Sequence, residues 1–251
     1  MAKKAPAALS LTDVSKAFGG LKAVDGVALS VQPGERRALI GPNGAGKTTL
    51  FNLISGELPP SEGRIALFGQ DVTTLPPHRR AALGLARTYQ ITNLFPSLTV
   101  LENLLLAVQG LERTKLAFLR PVTSYRHLYE RARVVLDSVG LDGKEGEVVR
   151  NLSHGEQRQM EVAMALASRP RLLLLDEPTA GLSPAESLTM TALLKTLDAG
   201  ITLLVIEHDM DVAFALTDRV TVLHNGRVVA DGSREEVRSS PLVKEIYLGS
   251  D

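Results

Sequence analysis

Near the start of the chain, residues 41–48 have the types and spacing of a phosphate-binding loop. They read Gly-Pro-Asn-Gly-Ala-Gly-Lys-Thr, which fits G-x-x-x-x-G-K-[ST]. The glycines let successive backbone N–H groups turn toward an anion, and Lys47 supplies a positive charge for the β- and γ-phosphates of a nucleotide. Thr48 offers a hydroxyl to Mg²⁺. The residues predicted to bind the nucleotide here are Gly41, Pro42, Asn43, Gly44, Ala45, Gly46, Lys47, Thr48 and Thr49.

The residues on either side of this loop favour a strand before it and a helix after it. Residues 37–40 form a short, mainly apolar run, and apolar residues recur with helical spacing over 50–54 before Gly56. Phosphates would then lie at a helix N-terminus, where the dipole favours negative charge. The plain alternative is a glycine-rich turn that matches by chance, and the strand-loop-helix context argues against it.

Further elements of the chain indicate an α/β core with an inserted helical segment. Residues 171–176 and 201–206 are continuous apolar runs, as in parallel strands covered on both faces, and helical residues 184–198 between them complete a βαβ unit. Residues 9–31 alternate like antiparallel strands and precede a turn at 32–34. We predict one domain over 8–251, with a nucleotide-binding core at 8–90 and 160–232, a helical subdomain at 91–159 and C-terminal helices at 233–251.

Composition excludes several classes of protein. The 28 basic and 28 acidic residues balance, so nucleic acid is not an expected partner. Without cysteine the chain has no disulfide framework and no thiolate metal site. The N-terminal residues predict no signal h-region, and no run approaches the roughly eighteen apolar residues of a membrane span. If the protein works at a membrane, other chains must hold it there.

A second motif narrows the class of nucleotide-binding protein. Residues 152–157 read Leu-Ser-His-Gly-Glu-Gln, shortly before the run Leu-Leu-Leu-Leu-Asp-Glu-Pro at 172–178. The chain here resembles the ATP-binding-cassette (ABC) ATPases, whose LSGGQ signature precedes a Walker B strand that ends in Asp-Glu. The resemblance covers essentially the whole chain. In the family's order, the matching elements are Phe18, the loop at 41–48, Gln90, the signature, Asp176 with Glu177, and His208.

The resemblance implies a role for each of these elements. Asp176 would hold Mg²⁺ directly or through water, and Glu177 would be the general base for the attacking water. His208 would be the switch histidine that contacts the γ-phosphate. Gln90 would sense Mg²⁺ and water, as the Q-loop glutamine does. The plain alternatives are a solvent-facing carboxylate pair at a strand end and a structural histidine.

The signature residues have both a structural and a functional interpretation. Ser153 and Glu156 form a capping box, so Ser153 can simply begin a helix over 157–168. In the family the same helix N-terminus is offered to the γ-phosphate bound by another subunit, which implies that Ser153, Gly155 and Gln157 contact nucleotide. Phe18 would stack on adenine, although an aromatic beside two glycines is at least as often a core residue.

Three residues depart from the family pattern, and one of them is Phe18, which lacks the hydroxyl of the common tyrosine at little cost to stacking. His154 replaces a glycine of LSGGQ, which adds a side chain near the phosphate but leaves Gly155 free for close approach. Ser183 stands where many relatives have the D-loop aspartate, so a helix-cap role is the safer expectation for it.

Other segments resemble the first of the two ATPases of bacterial branched-chain amino acid importers. These segments are 18–24, 94–103, 180–184, 206–210 and the tail Tyr-Leu-Gly at 247–249. The resemblance implies an ATP- and Mg²⁺-dependent ATPase, peripheral on the cytoplasmic face of the inner membrane. Its partners would be two permeases, a second ABC ATPase and, indirectly, a periplasmic binding protein.

Three other classes remain as alternatives. A lipopolysaccharide-export ATPase shares much of the C-terminal half, and the long linker at 110–131 argues against it. Soluble ABC ATPases of translation or DNA repair usually carry tandem cassettes or long coiled coils, and this chain has neither. A phosphoryl-transfer kinase is disfavoured by the signature motif.

Overall fold

The computed structural model describes residues 5–88, 94–110 and 125–248, and these divide into two units. The sheet unit comprises 5–87, 171–177 and 198–248, and the helical unit comprises 88, 94–110, 125–170 and 178–197. The sequence predicts helical residues 91–159, whereas the helical unit also holds the helices that begin at His154 and Pro184 in full. These two helices contact each other, and the first also contacts the two helices before it in the chain.

The bounds of the elements are as follows. Among the described residues the strands are Leu9–Phe18 (β1), Leu21–Val31 (β2), Arg36–Ile40 (β3), Glu62–Leu67 (β4), Gln70–Asp71 (β5), Leu85–Arg87 (β6), Leu172–Asp176 (β7), Thr202–Ile206 (β8), Arg219–His224 (β9) and Arg227–Ser233 (β10). The helices are Lys47–Ser55 (α1), Pro77–Ala82 (α2), Val100–Gly110 (α3), Arg126–Ser138 (α4), His154–Leu166 (α5), Pro184–Thr196 (α6), Met210–Leu216 (α7), Arg234–Ser239 (α8) and Pro241–Leu248 (α9).

Two sheets form the sheet unit. One is antiparallel with strand order β2-β1-β4-β5, which confirms the antiparallel pairing predicted for residues 9–31. The other has the order β10-β9-β3-β8-β7-β6, and its strands are parallel except for β10. Every residue of β7 and β8 is buried, as their continuous apolar runs predict. The parallel neighbours β7 and β8 are joined through α6, which confirms the predicted βαβ connection.

The core of the sheet unit holds α1 in place. Phe51, Leu53 and Ile54 of this helix are fully inaccessible to solvent, and they cluster with apolar side chains from β1, β2, β4, β7 and β8. The helix ends at Gly56, whose left-handed backbone closes it as predicted. Because α1 begins at Lys47, this packing fixes where the phosphate-binding loop lies.

Capping boxes are present at Ser153 and Ser183, where the sequence predicts helix caps, and at Ser233, and each begins a helix. The box at Ser153 corrects one prediction, because it starts α5 at His154 rather than at 157. This helix ends at Leu166, and Arg169 then has a left-handed backbone. Helix α6 ends at Thr196 instead of 198, since Leu197 is extended. None of the helices in the described ranges is long and apolar enough to cross a bilayer.

Candidate nucleotide site

The loop at 41–48 connects β3 to α1. Immediately before α1 its backbone has a positive φ, which favours glycine. Gly46 has φ 101° and precedes the first residue of the helix. A Cβ at Gly46 would lie 2.3 Å from the carbonyl oxygen of Ala23. Any side chain there would push the loop away from β2, so the path of the loop depends on Gly46.

Lys47 is the buried cation of this loop. Its Nζ donates hydrogen bonds to the carbonyl oxygens of Gly41 and Pro42, at 2.6 and 3.0 Å. Burial lowers the pKa of Lys47, and the charges of Glu177 and Asp176 work against that change. The ammonium group and the two carboxylates therefore belong to one electrostatic site within the sheet unit.

Asp176 is the last residue of β7, and Arg87 of the neighbouring strand β6 binds its carboxylate. The Nη2 of Arg87 donates to Oδ2 of Asp176 at 3.0 Å, and both side chains are almost fully buried. Burial raises the pKa of Asp176, and the hydrogen bond from Arg87 opposes the rise. Arg87 also donates from Nη1 to Asn52 Oδ1 at 2.6 Å and to Ser55 Oγ at 3.1 Å, both on α1. One guanidinium group thus joins β6, β7 and α1.

Arg87 is the residue of this site that sequence reasoning missed. It lies three positions before Gln90, the predicted Q-loop glutamine, but its role depends on strand pairing. Strand β6 runs beside β7, with Arg87 in register with Leu174. Only this non-local pairing brings the guanidinium group to Asp176.

Glu177 has an unusual backbone and a defined partner. Its φ is 51°, a left-handed conformation that a residue with a side chain adopts at a cost of about 1–3 kcal/mol. Its N–H donates to the carbonyl of Ile206 at 3.0 Å. Its Oε1 lies 2.5 Å from Nε2 of His208, within hydrogen-bond distance. The pair fixes the direction of both side chains.

Ser153 caps α5 in the helical unit. Its Oγ accepts from Glu156 N–H at 3.2 Å, and Glu156 Oε2 accepts from Ser153 N–H at 2.8 Å. Gly155 donates its N–H to Oε1 of Glu186 on α6 at 3.1 Å. Gln157 donates from Nε2 to Leu152 O at 3.1 Å. Aligned with LSGGQ, residues 152–156 read Leu-Ser-His-Gly-Glu. Glu156 therefore stands at the glutamine position, and Gln157 follows the motif.

The remaining predicted residues are placed as follows. Phe18 ends β1 with 48% of its surface exposed, and Lys16 Nζ lies 5.4 Å from its ring centroid, so Phe18 is not a core residue. Ser183 caps α6, as expected for it. Gln90 lies outside the described residues. The structure thus brings Lys47, Asp176, Glu177 and His208 together in the sheet unit, whereas Ser153, Gly155 and Gln157 belong to the helical unit.

Comparison with known proteins identifies the family. The family model described as "ABC transporter" matches residues 24–180. The chain belongs to the ABC transporter ATPases. It is 40% identical to the high-affinity branched-chain amino acid transport ATP-binding protein BraF of Pseudomonas aeruginosa, over 96% of this chain and 97% of BraF. It is 39% identical to LivG of Escherichia coli, a protein of the same description, with the same two coverages.

A solved structure supports the same assignment. The crystal structure of an ABC transporter cassette in its ADP conformation matches with a TM-score of 0.84 and 33% identity, over 97% of this chain and 99% of that one. The predicted fold class is therefore confirmed: an ABC ATPase fold with a parallel-strand core, an antiparallel β subdomain and a helical part. As an ABC ATPase, the chain binds nucleotide.

The donor set near Lys47 fits Mg²⁺. Thr48 lies in the first turn of α1 with a hydroxyl, and Asp176 ends β7 with a carboxylate, so both offer the oxygen ligands that Mg²⁺ prefers. Within the described ranges no group of three or more His, Cys, Asp or Glu side chains forms a protein cage for a metal. Mg²⁺ in nucleotide enzymes is commonly held by one or two protein groups together with the phosphates, which is the arrangement these residues fit.

Proposed function

We propose that this ABC ATPase energises the import of branched-chain amino acids or related small polar solutes. The observation that carries the proposal is the 40% identity to BraF over 96% of this chain, which leaves no large part of the cassette without a counterpart. An ATPase subunit does not touch the solute, so the class of solute rests on this likeness and not on the chemistry of the site.

In the proposed hydrolysis step each residue near the loop has one task. The N–H groups of the loop and Lys47 bind the β- and γ-phosphates, and Glu177 takes a proton from the attacking water. His208 would contact the γ-phosphate, and its Nε2 lies 2.5 Å from Oε1 of Glu177. Thr48 and Asp176 would hold Mg²⁺, which neutralises charge on the phosphates when bound, and Gln90 would complete that shell. Phe18 would stack on the adenine.

The proposal requires a second ATPase subunit. Ser153 and Gly155 of the signature, and Gln157 directly after it, would contact nucleotide held by the loop of a partner cassette, at the N-terminus of α5. Two permeases would anchor the pair at the cytoplasmic face of the inner membrane, supplied by a periplasmic binding protein.

Uptake by cells tests the solute class. In a strain whose only copy of this gene carries Glu177→Gln, we expect uptake of radiolabelled leucine, isoleucine and valine to fall to the level of a deletion strain, while the wild-type gene restores it. An unrelated sugar, taken up through its own transporter, serves as the control. Uptake of all three amino acids at the wild-type rate in the deletion strain would refute the proposed solute class.

A further inference from the structure

One carboxylate in the helical unit binds the N-terminal ends of two helices. Glu186 is the third residue of α6, and its Oε2 accepts from the N–H and the hydroxyl of Ser183, at 3.0 and 2.7 Å. Its Oε1 accepts from the N–H of Gly155 in the signature motif at 3.1 Å. These two residues are 31 positions apart in the chain, so the contact is tertiary.

The close approach of Glu186 requires glycine at position 155. A Cβ on Gly155 would lie 2.8 Å from Oε1, 3.0 Å from Cγ and 3.1 Å from Cδ of Glu186. Gly155 is buried, and Glu186 lines a hollow of about 230 Å³ beside it with Ser153 and Glu156. The carboxylate therefore covers the Gly155 amide directly.

Capping of α6 does not explain this contact. Glu236 forms the same box with Ser233 at the start of α8, which shows that the motif is complete without a bond to a second helix. Hydrogen bonds from Ser183, and then from Gly155, lower the pKa of Glu186. Glu186 is thus an anion at neutral pH, placed at a helix N-terminus that favours anions.

We propose that the Glu186 carboxylate is an internal anion that accepts the hydrogen bond of the Gly155 N–H in place of a phosphate. This bond must break before the γ-phosphate of the nucleotide on the partner cassette can bind the same N–H. This inference rests on the proposed function, which assigns the same amide to that phosphate. Because carboxylate and phosphate compete for one N–H donor, Glu186 raises the ATP concentration needed for closure of the two cassettes. Its second oxygen remains on Ser183, so the capping box of α6 is retained when the first oxygen leaves Gly155.

Glu186→Gln separates this role from capping. Glutamine still completes a capping box, with its single oxygen facing the two donors of Ser183. Its NH₂ group then faces the Gly155 N–H, so the bond to the signature amide is lost. Glu186→Asp is a second variant, in which the carboxylate is one methylene shorter and retracts from Gly155. Glu236→Gln is the matched control, since it makes the same change in a capping box elsewhere.

The measurement is the ATP concentration that half-saturates dimer formation in the Glu177→Gln background, by size-exclusion chromatography with light scattering. We expect Glu186→Gln to lower this concentration about tenfold, or about 1.4 kcal/mol, and Glu186→Asp to lower it less. Glu236→Gln should leave it unchanged. Thermal melts of all variants establish that each is folded. If the protein alone stays monomeric, the same variants are assayed with the co-expressed second cassette.

The outcomes distinguish this inference from the proposed function. The inference is wrong if both Glu186 variants need the same ATP concentration as the parent protein for dimer formation, or a higher one. A higher concentration would mean that Glu186 holds α5 in its active position. Ser153→Arg is the test of the composite site itself, because it should block the dimer. If Ser153→Arg still forms the dimer, the composite site and the inference are both wrong. The same holds if ATP drives no dimer formation either by the protein alone or with the second cassette.

Discussion

At the residue scale, the backbone and the contacts of Glu177 set the direction of its carboxylate. A left-handed φ at a residue with a side chain persists only where neighbours impose it, here through the bond to Ile206 O and the contact with His208. The carboxylate of Glu177 is thus preorganised for the role proposed for it.

Glu177→Gln should retain ATP binding and lower the rate of hydrolysis at least ~10²-fold, because the amide cannot accept the proton of water. Phosphate release measures the rate, and equilibrium binding of a fluorescent ATP analogue measures affinity. Lys47→Ala is the companion variant, for which affinity itself should fall because a charge partner of the phosphates is lost. Hydrolysis by Glu177→Gln near the wild-type rate would remove Glu177 from the role of base.

The pair Arg87–Asp176 leads to a second prediction. Removing one partner of a buried ion pair costs about 3–5 kcal/mol, since the other charge remains buried. We expect Arg87→Met to lower the free energy of unfolding by roughly that amount, and Asp176→Asn in the same chain to restore part of it. Urea unfolding of the wild type, both single variants and the double variant measures the coupling. Strictly additive losses would show that the two charges do not stabilise each other.

How far the site is predictable depends on whether a residue's role is local. Lys47 and Thr48 follow from one short motif, and the family resemblance at the end of an apolar run implies the roles of Asp176 and Glu177. The contact between Glu186 and Gly155 is different, because it needs the packing of α5 against α6. Nothing in the spacing of these two residues reports it.

At the element scale, the structure shows why α1 is a firm support for the phosphate-binding loop. Its last turn ends in carbonyls that lack partners within the helix, and the fully buried Arg80 of α2 binds two of them, at Leu53 and Ile54, at 2.7 and 2.8 Å. Arg80 also donates to Leu75 O and Thr73 O. The Arg80 side chain therefore caps the C-terminal carbonyls of α1 and also binds the loop at 73–75.

Arg80→Leu should destabilise the protein by about 3 kcal/mol or more, because several buried carbonyls lose their donor at once. The neighbouring Arg79 is exposed on the same helix, so Arg79→Leu is the matched control and should change stability by less than about 0.5 kcal/mol. Chemical denaturation compares the two variants. Equal effects would mean that the hydrogen bonds of Arg80 contribute nothing beyond loss of an arginine.

Element types are more predictable here than element limits. The strands β7 and β8 and the capping boxes follow from apolar runs and from Ser-x-x-Glu spacing. The end of α6 at Thr196 does not, because Leu197 and Asp198 continue a pattern that a helix tolerates. The order of the parallel strands likewise depends on contacts between distant segments, which no local pattern encodes.

At the scale of the whole molecule, Phe95 is the residue that we propose for contact with the permeases. Phe95 in the helical unit is 51% exposed, so it is not a core residue, although its backbone is firmly held. The buried Asn103 accepts from Phe95 N–H at 2.9 Å and donates to Phe95 O at 3.1 Å. An exposed aromatic on a fixed turn favours a contact with another protein.

Phe95→Glu should retain folding and ATP binding while abolishing co-purification with the permeases and amino acid uptake, because a charge in an apolar contact is left unpaired. Val134→Glu is the matched control, since Val134 on α4 is 67% exposed in the same unit and should tolerate the charge. Affinity purification from membranes and a thermal melt are measured on both. A lower melting temperature with assembly intact would assign Phe95 a structural role. Normal uptake by cells that carry only Phe95→Glu would place the permease contact elsewhere on the molecule.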